Sequence, residues 1–297
     1  MNGLFSRGVN SMPLMQLEEL ELISGVFRGR LGNAFARELM RVLSIDRINE
    51  LYDRNSHLEG PDFAKAVLKD VGLEYSLGFA ESTGLAGDTS DSLADLIPKG
   101  PFITISNHPC GHLDGIVLVD LLGHIRSDYK IMANQMLSRI MPLASSFISV
   151  TPTGTHRTAP SPISLSGVKA ALNHLHSGGS LGLFPSGAVS DLSLTERCVR
   201  DRQWQEPVIK LIMKAGVPVV PVRFFDGNSR LYYALGLIDW RIRLLKLPSE
   251  VFNKRGQVFR VGIGRCITAD EIRKYGKDLE SLRDFLRASV YDVFELI

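Results

Sequence analysis

Short apolar runs alternate with stretches of helical periodicity along much of this chain, and that alternation restricts the fold more than any other feature. The runs lie at residues 102–106, 129–133, 147–150, 180–184 and 219–225, with others at 74–80 and 258–264. Each has the length of a buried strand. Among the intervening stretches, 167–176 carries Val168, Ala171, Leu172 and Leu175 at helical spacing, and Gly178-Gly179 ends that helix. Strands separated by helices predict an α/β fold, with a mixed or largely parallel sheet flanked by helices. Residues 1–73 read as a mostly helical N-terminal region and 74–297 as the α/β domain. Residues 81–95 are rich in Gly, Ser, Thr and Asp and read as a loop. Residues 269–297 read as a closing helix, with Leu279, Leu282, Phe285, Leu286, Val290 and Val293 on a core-facing stripe. Prolines around the 219–225 run point to a strand start or a sheet edge.

Composition narrows the class. A chain of 297 residues, 44% hydrophobic and 22% charged, can bury a sizeable core. Its 34 basic and 32 acidic residues leave a net charge of +2 without blocks of like charge, so no nucleic-acid partner is expected. The three cysteines, Cys110, Cys198 and Cys266, are widely spaced, which fits a reduced, cytosolic setting. Residues 1–13 lack the apolar core of a secretory signal. No apolar stretch approaches the ~18 residues that span a bilayer.

The chemistry is concentrated where the 102–106 run enters Ser106-Asn107-His108-Pro109-Cys110-Gly111-His112-Leu113-Asp114-Gly115. Pro109 and Gly111 forbid a continuous helix there. His108 is therefore expected in a loop after a buried strand, where chain reversal can bring Asp114 beside its imidazole. A neutral imidazole held by a carboxylate is a general base poised near neutral pH. The carboxylate fixes the tautomer and stabilises the imidazolium that forms. The same residues admit a purely structural hydrogen-bonded pair. They also admit a metal set of His108, His112 and Asp114, although histidines four apart share a face only on a helix. A second polar turn, Phe184-Pro185-Ser186-Gly187, closes the 180–184 strand at its carboxyl end, where α/β sheets place ligand sites. Ser186 as a hydrolase nucleophile lacks the glycine of the nucleophile elbow, since Phe184 occupies that position.

Asn107-His108, a spacer and Asp114 resemble the first motif of the glycerolipid acyltransferases, the family of the lysophosphatidate acyltransferases. The five-residue spacer from Pro109 to Leu113 is one longer than in most members. It resembles the bacterial branch labelled as haemolysins, which includes the O-acyltransferases of ornithine and glycine lipids. Phe184 to Gly187 resembles the family's Phe-Pro-Glu-Gly motif for the acceptor head group, with Ser186 in the Glu position. Val189-Ser190 continues as in that branch. Ala215 to Val222 resembles the fourth motif. Residues 147–152 stand at the second, with Arg157 in the place of its arginine.

This resemblance implies a glycerolipid acyltransferase fold, with His108 and Asp114 catalytic and Asn107, Gly111, Phe184, Pro185, Ser186 and Gly187 binding substrate. Amides around Gly111 and Gly187 are expected to stabilise the oxyanion. The implied reaction is O-acyl transfer from an acyl carrier protein or coenzyme A thioester to the hydroxyl of a lyso-lipid, without a metal or resident cofactor. Ser186 and the long spacer point to a lyso-aminolipid acceptor before 1-acylglycerol-3-phosphate. A metal-dependent hydrolase and a non-catalytic, haemolysin-like membrane protein are the readings of other classes. A lipid enzyme without a span is expected to work as a peripheral protein on the cytoplasmic face of the cell membrane. Residues 14–45 and 231–246 carry the apolar and basic side chains for this, with Trp240-Arg241-Ile242-Arg243 as the interfacial segment. The alternative for both segments is burial in the protein's own core. Lys169 and Arg223 read as ordinary surface charges.

Overall fold

The computed structural model describes residues 41, 43–79, 90–134, 137, 139–150 and 162–293. Most of the 14–45 segment, Arg157 and residues 81–89 lie outside these. Helices α1 (Ile45–Asn55) and α2 (Gly60–Val71) lead into β1 (Glu74–Phe79). There follow α3 (Ser90–Leu96), β2 (Ile103–Ser106), α4 (His112–Gly123), β3 (Tyr129–Asn134), a 3-10 turn (Met141–Ser146) and β4 (Phe147–Val150). Next are α5 (Pro162–His176), β5 (Ser180–Leu183) and a short hairpin of β6 (Asp191–Ser193) and β7 (Cys198–Arg200). The rest is α6 (Glu206–Ala215), β8 (Val219–Phe224), α7 (Arg230–Ile238), α8 (Trp240–Phe252), β9 (Val258–Ile263), α9 (Ala269–Arg273) and α10 (Leu279–Tyr291).

The seven-stranded sheet runs β1-β9-β8-β2-β5-β3-β4 and is parallel except between β8 and β9. The chain thus adopts the expected α/β architecture with a largely parallel sheet. Its central strands β2 and β5 are buried at every position, as strands covered on both faces must be. Side-chain alternation sorts the core into two layers. Phe102, Val220 and Val222 face a cluster with Phe63, Val67, Leu113 and Val117 from α2 and α4. Ile103, Ile105 and Val219 face one with Leu175, Ile209, Ile212, Leu282 and Leu286 from α5, α6 and α10. Helix α4 is apolar almost all round, so it lies inside, against the sheet and α2. A Cβ on Gly123 would stand 2.6 Å from Pro61 Cγ, so the glycine allows the close approach of α2.

Several expectations need correction. Residues 90–96 form α3, where a loop was expected; Leu93 and Ile97 anchor it in the core. The 269–297 segment is two helices, because Gly276 takes φ +56° and the Asp278 side chain caps α10 by accepting from the Ser281 N–H. The stripe it carries does face the core, with Leu282, Leu286 and Val290 fully buried. Pro221 lies in β8, which is neither a strand start nor an edge. Val219 forms a bridge to Ile267, while the β8–β9 ladder begins only at Val222 opposite Ile263. The ladder is interrupted between the two, so the donor that Pro221 lacks has no ladder partner to fail.

Gly182 supplies a stability test. It sits opposite Thr104 and Ile131, under the Tyr129 ring whose hydroxyl shares a 2.6 Å hydrogen bond with Thr104. A Cβ there would overlap the Tyr129 hydroxyl and stand 3.1 Å from Ile131 Cγ1. The ring cannot swing aside without losing that buried bond. We predict that Gly182→Ala destabilises the fold by about 1–3 kcal/mol through overpacking. Urea unfolding should show a lower midpoint at unchanged slope; an unchanged midpoint would contradict this packing.

Candidate active site

The site is the turn between β2 and α4, at the carboxyl end of the central strand, where α/β sheets place their ligand crevices. Strand β2 ends at Ser106, and Pro109 with Gly111 reverses the chain. Gly111 has φ +69°, and a Cβ on it would stand 3.2 Å from both Val189 and Leu247. Only glycine meets both conditions. Helix α4 then starts at His112 and places Asp114 in its first turn.

His108 Nδ1 lies 3.1 Å from Asp114 Oδ2, at ion-pair distance, and finds no other partner among the described residues. Asp114 is fully buried, while the His108 side chain keeps 19% of its surface open. The Phe184 ring packs on the imidazole, with centroids 4.0 Å apart and planes at 31°. Nδ1 is thus turned to the carboxylate, and Nε2 is the nitrogen left for a substrate proton. Burial pushes the Asp114 carboxyl up, and His108 together with the Cys110 N–H offsets part of that rise. The expected juxtaposition of His108 and Asp114 is present.

The main chain of the turn is held on every side. The Asn107 amide donates to the Phe224 carbonyl and accepts from the Phe224 N–H, both at 2.8 Å. The His108 N–H donates to Asp201 Oδ1 at 3.1 Å, and the His108 carbonyl accepts from the Ser190 N–H at 2.9 Å. The Pro109 carbonyl accepts from the Tyr233 hydroxyl at 2.9 Å. The Cys110 N–H donates to Asp114 Oδ2 at 2.9 Å. Arg243, buried under α8, donates to the Val189 and Ser190 carbonyls at 3.0 and 3.2 Å and pairs with Asp191. Sequence reasoning missed Asp201, Trp204, Tyr233 and Arg243 as parts of the site. Each lies far along the chain from His108, outside any local motif.

The expected binding residues divide into groups. Phe184 touches the imidazole, Pro185 is buried beside it, and Gly111 and Gly187 shape the turns. Asn107 is buried and bonds β8 through both ends of its amide, so it clamps the turn. Ser186 is buried too, its hydroxyl donating to the Ala188 carbonyl at 2.8 Å. The Gly187 N–H closes its own turn on the Phe184 carbonyl at 2.9 Å, which removes it as an oxyanion donor. The Gly111 N–H has no acceptor among the described residues, and no side chain caps the start of α4. Gly111 and the first turn of α4 are thus where this turn has main-chain donors to offer.

His112 lies on that same first turn. Its side chain is exposed to solvent, and desolvation on its protein-facing side, followed by the neighbouring His108, lowers its pKa to about 4, so it is neutral above that pH. Burial pushes the Cys110 thiol well up, so it is no thiolate. Among the described residues no three His, Cys, Asp or Glu side chains group to hold a metal ion. Arg223 is no free surface charge: it donates to the Tyr291 and Val293 carbonyls and ties β8 to α10.

The buried carboxylate makes a pH prediction. Asp114 has a folded pKa above its ordinary 3.8, so the fold binds this proton more tightly than the unfolded chain does. Ionising it opposes folding as pH rises from about 4. Asp114→Asn removes that penalty and keeps an acceptor for Cys110. Its melting temperature at pH 7–8 should be no lower than the wild type's in parallel scans. A fall of several degrees would show that the charge stabilises the turn.

Residues 28–295 match the family model described as acyltransferase. A lyso-glycine lipid O-acyltransferase of Bacteroides thetaiotaomicron is 25% identical over 260 residues, covering 84% of this chain and 87% of the relative. One of Phocaeicola vulgatus is 25% identical over 237 residues, or 77% of each chain. The crystal structure of the 1-acyl-sn-glycerophosphate acyltransferase of Thermotoga maritima is 12% identical with a TM-score of 0.43, covering 93% of this chain and 97% of that one. With nine-tenths of its length inside the family model, and with a histidine and a carboxylate paired at the end of its central strand, this chain belongs to the acyltransferase family.

Proposed function

We propose that this protein is a lyso-lipid O-acyltransferase whose acceptor is a lyso-aminolipid of the glycine- or ornithine-lipid type. The observation that carries this reading is the His108–Asp114 pair, held 3.1 Å apart with the second imidazole nitrogen open, in a chain whose curated relatives are named for that acceptor class. His108 Nε2 removes the proton of the acceptor's hydroxyl as that oxygen attacks the thioester carbonyl. Asp114 steadies the imidazolium. The Gly111 N–H and the first turn of α4 face the oxyanion. Collapse breaks the C–S bond, and the imidazolium returns its proton to the leaving thiolate. The donor is a thioester of acyl carrier protein or coenzyme A, a co-substrate and not a resident cofactor. Neither step calls on a metal, and turnover should persist in chelator.

The test offers purified protein one acyl thioester with lyso-glycine lipid, lyso-ornithine lipid and lysophosphatidate in competition. Preferential acylation of an aminolipid supports the proposal; clear preference for lysophosphatidate would replace its acceptor. His108→Ala and Asp114→Asn should each lower turnover by ~10²–10⁴-fold. His112→Ala should be the milder change, and the reverse order would move the base to His112.

The same proposal places the protein peripherally on the cytoplasmic face of a membrane. No described helix is long and apolar enough to cross one. Leu231, Leu237 and Ile238 on α7 and Ile242, Leu244 and Leu245 on α8 are exposed, whereas Arg243, expected at the interface, is buried. The opposite side of this helical hairpin rests on the catalytic turn through Tyr233 and Leu247. A bilayer under the exposed row would lie across this hairpin from the catalytic turn. Ile238→Glu combined with Leu245→Glu should reduce sedimentation with anionic phosphatidylglycerol vesicles. Wild-type protein that stays in the supernatant would refute this placement.

A further inference from the structure

We infer that Asp201 is a positioning residue of the reaction: a second buried carboxylate that holds the main chain of the catalytic histidine and balances the charge formed on its ring. The inference rests on His108 acting as the base.

Asp201 follows β7 and is 5% exposed. Its Oδ1 accepts from the His108 N–H at 3.1 Å and from the Ser190 hydroxyl at 2.5 Å, and its Oδ2 accepts from Trp204 Nε1 at 3.1 Å. Every contact is donated to it. Three donors aimed at one carboxyl group favour its ionised form. Burial works against that form, and the donors of Ser190, Trp204 and His108 counter it. The residue itself is fixed from α10: its N–H donates to the Tyr291 hydroxyl, and its carbonyl accepts from Arg287. Ser190 adds a second link, since its N–H donates to the His108 carbonyl. Asp201 and Ser190 thus grip the His108 peptide on both sides, with the carboxylate shared between them.

The charged and titratable groups around the ring are few. Asp114 and His112 face it from α4, and Asp201 from the segment after β7. Phe184 covers it from β5, and Tyr233 approaches the turn from α7 without charge. Arg243 lies behind Ser190 and is paired with Asp191. Asp201 is therefore a second carboxylate, beside Asp114, that interacts with His108. An imidazolium formed during transfer is stabilised by both.

The test is Asp201→Asn, read as kcat and KM separately across pH. The new amide could point its NH₂ at Trp204, so Asp201→Asn with Trp204→Phe removes the donor clash and isolates the loss of charge. Asp201→Asn should melt within a few degrees of wild type, and the double variant, which shrinks the fully buried Trp204, should melt lower but still cooperatively. kcat should fall ~10–100-fold, the range for losing a hydrogen bond with a charged group, with KM for the thioester little changed. The acidic limb of the kcat/KM profile should move to lower pH, because one negative charge near the base is gone. Wild-type kcat and an unmoved limb in both variants would overturn the inference. So would lost turnover with the limb in place, which is what a purely structural residue would give. Wild-type turnover in His108→Ala would instead remove the base itself, a separate failure.

Discussion

A histidine at the end of a strand works as a base only while its ring stays against the carboxylate that orients it. Here the main chain does that holding. From Asn107 to Cys110 each residue contributes a side chain, N–H or carbonyl to a partner on another element: β8, the segment after β7, the loop after β5, α7 and α4. Each such bond contributes only about 1 kcal/mol net, but breaking one leaves a buried group unpartnered, which costs more. The turn therefore has one conformation available to it, and the imidazole inherits that rigidity. Phe184 removes the remaining freedom by lying on the ring.

The site draws against the stability of the fold. Asp114 and Asp201 are both buried and both held above the ordinary carboxylate range, so ionising them near neutral pH opposes folding. Neither is relieved by an arginine or lysine paired directly to its carboxylate among the described residues; their partners are N–H and O–H donors and one imidazole. A direct cation would lower both carboxylates, but it would also disfavour a positive charge on the neighbouring imidazole. The two apolar layers on either side of the sheet carry the compensation. Substituting either carboxylate by its amide should therefore separate activity from stability, as active sites built on unfavourable charge commonly do.

Much of this was legible in the sequence because it is local. The strand runs are short and apolar, so β2, β4, β5 and β8 fall within a residue of their expected bounds. The His108–Asp114 pair spans one turn, and Pro109 with Gly111 dictates the reversal. What was not legible is long-range. Asp201 reaches His108 only because the β6–β7 hairpin folds back over the carboxyl ends of the strands, and that hairpin is too short to announce itself by periodicity. Arg243 misled for a related reason. An arginine among Ile242, Leu244 and Leu245 has the composition of an interfacial segment, but its own spacing turns it inward to the Val189 and Ser190 carbonyls while its neighbours face out.

The same distinction between local pattern and delivered geometry bears on the acceptor. The loop after β5 resembles a head-group motif with Ser186 in place of an acid, and a resemblance alone would hand Ser186 the head group. The loop has no such group to offer. The Ser186 hydroxyl is buried on the Ala188 carbonyl, the Ser186 carbonyl accepts from Gln205 Nε2 at 3.1 Å, and the Pro185 carbonyl accepts from the Gln205 N–H at 2.9 Å. Gln205, just before α6, stitches the loop shut. A glutamate at 186 would bury a charge where the present contacts are uncharged, which is expensive without a paired cation. The loop's part is then mechanical: it carries Phe184 onto the imidazole and Ser190 onto the His108 carbonyl. Selectivity between head groups must arise from whatever lines the open side of His108. The first turn of α4 carries the exposed His112 and the buried Asp114 and no arginine or lysine, so it supplies no fixed cation to pair with a phosphate.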